Sequence, residues 1–230
     1  MLGILVQLAI SWLIIWWIEK QHLSVLGFMP NRQRVQHFFV FFCLAAGFCA
    51  LGFLLKMWAG NQHWKINPQL NFSLIMKGLE WNINSVLYEE LIFRGVLLYI
   101  LIKRLGVSTA IIISAIGFGI YHWFSMGVLG NPVPMIIIFI MTGLMGYVLA
   151  LGYAKTYSLY LPIGLHFGWN LTQIFIFSNG PIGPGTFVPV GSGDFRTNSY
   201  LLFFAVTFLP IFLLLFCSYL LIRRMKQENG

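Results

Sequence analysis

Acidic side chains are scarce: Asp and Glu number 6 in 230 residues, against 14 Lys and Arg. Charged residues of all kinds make up 9% of the chain, where soluble domains carry about 25%. So few solvating groups cannot cover the exterior of a 26.3 kDa protein. The shortage excludes a soluble enzyme, a nucleic-acid binder, a secreted disulfide scaffold and a disordered chain. Cysteine is also rare, and Cys43, Cys49 and Cys217 all sit in apolar runs. They read as small buried apolar residues rather than a disulfide or zinc framework. What the chain has instead is hydrophobic length: 59% apolar residues and a mean hydropathy of +0.82.

A membrane-spanning helix needs about 20 mostly apolar residues, and the sequence offers such segments at 1–18, 37–59, 72–102, 107–124, 133–152, 157–178 and 200–222. The first has no basic flank or small-residue cleavage site and is read as a retained span. The third is mixed: 72–85 is amphipathic (Lys77, Glu80, Asn82, Asn84), whereas 86–102 is apolar except for Glu89, Glu90 and Arg94. A Gly/Pro-rich stretch over 179–199 is incompatible with helix. No internal repeat or domain boundary stands out. The expectation is an all-α polytopic transmembrane bundle of about seven spans, forming a single integral membrane domain over 1–230.

With seven spans, alternate connections hold Lys20, Arg32 and Arg34, then Lys103 and Arg104, then Lys155, then Arg223, Arg224 and Lys226. The opposite connections hold Lys65 and Arg196, while Lys56, Lys77 and Arg94 lie within or at the edges of spans. This bias predicts an outside N-terminus and a cytoplasmic C-terminus. It also accounts for the net charge of +8 through contact with anionic headgroups, with no nucleic-acid partner required.

The residues that hydrophobicity should have excluded form three clusters, and ionisable groups in spans mark functional sites by default. In YEELIFRG, Glu90 and Arg94 are i,i+4 neighbours with the acid N-terminal, the favoured order for a pair. Glu89 lies about 100° away around the helix, outside that pair, and is a candidate proton acceptor. In FGIYHW stands His122. In LHFGWN, His166 and Asn170 share a helix face and can both donate to one developing oxyanion. Each cluster also has a structural reading: an Arg–Glu–Glu network pinning helices, a histidine bonding between helices, a polar clasp. Counted along continuous helices, Glu89 would lie roughly 21 Å from Lys103, His122 roughly 22 Å beyond Val107, and His166 and Asn170 roughly 14 and 20 Å beyond Tyr157. That is one layer of the bilayer. Gly95, Gly117, Gly119, Gly164 and Gly168 border these positions and permit close helix approach. Pro162 is expected to kink its helix.

The strings EELIFR, FGIYH and HFGWN, in this order, resemble the CPBP family of intramembrane proteases, which includes CAAX-prenyl endopeptidases and bacterial Abi-type proteins. Glu89, Glu90 and Arg94 match its EExxxR motif, Phe118 and His122 its FxxxH, and His166 and Asn170 its HxxxN/D; the resemblance covers about residues 72–178. It implies hydrolysis of a peptide bond in a membrane-associated protein or peptide. Glu89 with His122 would activate a water, His166 and Asn170 would stabilise the oxyanion, and Glu90, Arg94 and Phe118 would support them. Zinc is a possible cofactor, held by Glu89, His122 and His166 with an open position for water. The HExxH helix is absent, however, and Asn170 is a poor zinc ligand but a good oxyanion donor, which favours a metal-free, glutamate-dependent route. Other readings are a catalytically silent membrane partner, such as a bacteriocin immunity factor, and a proton- or ion-coupled transporter, for which paired broken helices and repeats are missing. Short length and the lack of retrieval or organellar signals point to a bacterial plasma membrane.

Overall fold

The computed structural model describes residues 2–60, 62–191, 195 and 197–227. Its helices are α1 (Leu2–Glu19), α2 (Arg32–Gly60), α3 (Phe72–Phe93), α4 (Val96–Leu105), α5 (Val107–Ser125), α6 (Pro132–Thr156), α7 (Tyr160–Asn170) and α8 (Tyr200–Arg224). A 3₁₀ turn covers Leu23–Leu26, and a π-helical turn, Leu171–Ile176, continues α7. Two three-residue strands, β1 (Trp64–Ile66) and β2 (Phe187–Pro189), pair antiparallel, with Lys65 opposite Val188. Apart from that pair the fold is an all-α membrane bundle.

Among the described residues, five helices are long and apolar enough to cross a membrane: α1, α2, α5, α6 and α8. Their outward side chains include Trp17, Leu54, Ile112, Ile136 and Phe216, all exposed, as lipid-facing surfaces require. The other two expected segments are interrupted. Region 72–102 divides at Arg94–Gly95 into α3 and α4, and 157–178 divides at Asn170–Leu171 into α7 and the π turn. Among the described residues the cysteines are free; Cys49 is buried, but Cys43 is exposed on α2, contrary to the buried role expected for all three. Arg196, counted with Lys65, lies outside the described residues.

The chain forms two compact units. The first contains Met1–Phe38, Leu87–Ile163 and Ser218–Gly230. Its core packs Ile15, Leu26, Leu98, Tyr99, Tyr153 and Leu159. Gly27 adopts the left-handed region at φ 74°, and a Cβ there would land on the Tyr157 carbonyl and Ser158. Ser158 Oγ donates to the Gly27 carbonyl at 3.3 Å, and Tyr160 O–H to that of Phe28 at 3.3 Å. The Glu19 carboxylate accepts from Lys103 Nζ and from Arg104 at 2.9 Å. The connections after α1, α4 and α6 are thus fastened in pairs: the first to the third by these loop bonds, and the end of α1 to the end of α4 by the ion pairs. Between α5 and α6, Gly119 faces the Phe139 ring and Gly146 faces Phe118 and Ala115, so small residues set the approach.

The second unit contains Phe39–Val86 and Gly164–Cys217. Gly168 of α7 lies against the backbone carbonyl of Phe42 in α2, and Gly52 of α2 lies against Pro210 of α8. Gly78 of α3 lies against the Phe175 ring in the π turn. Phe53 stacks on Phe177 at 4.2 Å, with Trp64 edge-on to both. The 178–190 loop is tied down by Asn67, which donates Nδ2–H to Gly185 O at 2.9 Å, and by Ser178 Oγ, which accepts from Gly185 N at 2.7 Å.

Candidate active site

Along α3 and into the residue that follows it, the buried positions Asn82, Val86, Glu90 and Arg94 recur every fourth residue, the spacing of one helix face. That periodicity carries Glu90 and Arg94 inward, where they form the expected i,i+4 ion pair at 3.0 Å, both fully buried. A buried guanidinium needs more than one partner. Arg94 also donates Nη2–H to the Gly146 carbonyl at 3.3 Å, and its guanidinium carbon lies 4.1 Å from the centre of the Phe118 ring. Phe118 therefore forms a cation–π floor under Arg94.

The helix stops immediately afterwards. Gly95 has φ −80° and ψ −133°, and a Cβ at this position would overlap the Leu91 carbonyl oxygen. Only glycine fits this geometry, so the FRG triplet combines the buried cation with the break that follows it. The Phe93 carbonyl at the end of α3 accepts a hydrogen bond from Ser114 Oγ of α5 at 2.9 Å. Because of the break, the continuous rise counted from Lys103 to Glu89 does not describe this region.

On α5, His122 is 8% exposed. Its Nδ1 lies 2.8 Å from the Phe118 carbonyl. A carbonyl only accepts, so Nδ1 carries the proton, and in the neutral ring Nε2 holds the lone pair. Nε2 is 3.9 Å from Glu89 Oε2. This separation is too long for a direct hydrogen bond, but both atoms can reach one water at about 2.8 Å from each. Ring contacts with Phe118 at 4.5 Å and Tyr121 at 5.3 Å fix the imidazole plane.

In the second unit, His166 and Asn170 project from α7. Asn170 Nδ2 and His166 Nε2 are 3.2 Å apart, so the i,i+4 pair closes on itself. Gly168, between them in sequence, lets α7 reach the α2 backbone, and Phe167 packs on Phe42 at 5.7 Å. Pro162 produces no kink: it sits in the first turn of α7, where a missing N–H costs nothing. The irregularity comes later, as the π turn beginning directly after Asn170. Such turns recur at functional sites.

A catalytic zinc requires three protein ligands. The first unit supplies Glu89 and His122 and the second supplies His166; among the described residues no group of three or more His, Cys, Asp or Glu is placed to hold a metal. Neither unit by itself supplies all three of these ligands, and no chemical step is routed through a metal. Two participants went unrecognised in the sequence, Ser114 and Gly146. Ser114 is the only hydroxyl in the run Ile111–Gly119 and stands one turn before Phe118, a signal that was available.

Residues 71–172 match the family model described as Rce1-like, type II CAAX prenyl endopeptidase. This segment is similar to that family. It starts just before α3 and ends within the π turn, so it contains all three motif strings. The likeness supports an intramembrane endopeptidase of the CAAX type in general, and together with the apolar helices it points to an integral membrane protein. Searches of curated proteins and of solved structures found no match to the chain.

Proposed function

We propose that the chain is an intramembrane endopeptidase that hydrolyses a peptide bond of a membrane-associated substrate by a glutamate-dependent route. The observation that carries this reading is the Glu89–His122 arrangement: a carboxylate oxygen 3.9 Å from an imidazole nitrogen whose partner nitrogen is held by a carbonyl. Glu89 takes a proton from a water hydrogen-bonded to His122 Nε2, and the hydroxide adds to the scissile carbonyl. Asn170 Nδ2–H turns from His166 Nε2 to the tetrahedral oxyanion, and His166, in its Nε2–H tautomer, donates the second bond to it. As the C–N bond breaks, the proton held on Glu89 passes to the leaving amine, which restores the carboxylate. Glu90, Arg94 and Phe118 hold the end of α3 in place.

In this reading 72–178 is the catalytic core of one integral membrane domain. The α3–α4 and α7–π pairs complete about seven crossings, and the fastened connections after α1, α4 and α6 face the cytoplasm of a bacterial cell, with the N-terminus outside. The test uses purified protein in bicelles with quenched peptides, prenylated and unprenylated. The expected result is cleavage of at least one peptide that persists under a zinc chelator. Activity lost to the chelator and restored by zinc would replace the route with a metal-dependent one. Tight substrate binding without cleavage would favour the silent-partner reading.

A further inference from the structure

Where α3 breaks at Arg94–Gly95, its last carbonyls lose their intrahelical donors. Inside a membrane protein such groups must find partners within the protein. The Phe93 carbonyl finds Ser114 Oγ at 2.9 Å, from a side chain that is only 5% exposed. Ser114 stands four residues before Phe118 and eight before His122 on the buried face of α5. One face of one helix therefore carries the hydroxyl that holds the end of α3, the ring beneath Arg94 and the imidazole beside Glu89. The first of these belongs to none of the three motif strings.

We propose that Ser114 is a positioning residue for the hydrolytic reaction, anchoring the end of α3 and thereby fixing Glu89 relative to His122. This inference rests on the endopeptidase reading. Ser114 does not touch the reacting atoms; it acts through the Phe93 carbonyl, four residues along α3 from Glu89. Removing the hydroxyl takes this donor from the part-buried Phe93 carbonyl and lets this end of α3 shift. A displacement of about 1 Å in a catalytic constellation can lower the rate by about a hundredfold.

The experiment compares Ser114→Ala, Ser114→Thr and Thr142→Val with the wild type in bicelles. Thr142 donates to the Ile138 carbonyl within α6 at 2.7 Å and serves as a control for losing a hydroxyl-to-carbonyl bond elsewhere in the same unit. Ser114→Ala is expected to lower kcat at least about tenfold with KM nearly unchanged. Ser114→Thr should recover most of kcat, and Thr142→Val should retain it. Wild-type kcat in Ser114→Ala overturns the proposal, as does a loss that threonine fails to restore. A second readout needs no hydrolysis: the ¹⁵N signal of His122 Nε2 should move in Ser114→Ala and return in Ser114→Thr. An unmoved signal overturns the positioning role whether or not the wild type cleaves peptide. A wild type that cleaves nothing but shows the expected signal shift overturns the endopeptidase reading alone.

Discussion

Two helices of this protein are interrupted beside their motif residues, and by different means. At Arg94–Gly95 the helix stops, and the break is held by side chains: Gly95 accommodates the Leu91 carbonyl, Ser114 takes the Phe93 carbonyl, and Arg94 reaches Glu90 and Gly146. At Asn170–Leu171 the helix continues but widens to a π turn, with Phe177 N donating to the Thr172 carbonyl and Asn179 N to that of Gln173. The first interruption depends on particular residues elsewhere in the sequence. The second is largely backbone geometry, closed off by Ser178 in the left-handed region at φ 53°. The lesson is that a break sealed by side chains should be fragile to point substitution, whereas one sealed by backbone should tolerate it.

The largest stability effect is expected at the first interruption. Arg94→Met removes the guanidinium from a fully buried carboxylate and should cost about 3–5 kcal/mol, read as thermal stability in detergent. Retained stability would mean that the ion pair is incidental to the break. Gly95→Ala comes next, because the new methyl group meets the Leu91 carbonyl oxygen; overpacking of this kind costs about 1–3 kcal/mol. An alanine variant as stable as wild type would remove the reason for glycine at this position. The smallest effect is expected at the second interruption. Ser178→Ala loses the hydroxyl that bonds Gly185 N and the Phe187 carbonyl, at a cost of about 1 kcal/mol with the π turn intact. A loss as large as that of Arg94→Met would show that the π turn also depends on one side chain.

These contrasts also explain what the sequence disclosed. Helices α1, α2, α5, α6 and α8 were legible because 18 or more mostly apolar residues leave the backbone few options in a bilayer. The Glu90–Arg94 pair was legible because i,i+4 spacing is local. The break after Arg94 was not, because it depends on the local fit of Gly95 and on a bond from Ser114 to the Phe93 carbonyl, 21 residues apart. The β1–β2 pairing was hidden for the same reason: Trp64 and Pro189 meet only through tertiary structure. Pro162 was misread because a proline kinks a helix interior but not a first turn, and the start of α7 at Tyr160 was not apparent from hydropathy. The sequence pattern pointed to side chains whose catalytic roles are proposed above. What it left out was their supports, Ser114 and Gly146, whose roles run through backbone atoms.

The central claim is that Glu89 is the base of a hydrolytic reaction. It is tested most directly by kcat/KM of Glu89→Gln against wild type on a cleaved peptide, in chelator-treated buffer and with matched folded protein. Glutamine keeps the size and removes the proton acceptor, so the rate should fall by about 10²–10⁴. A glutamine variant that cleaves at the wild-type rate would contradict the account.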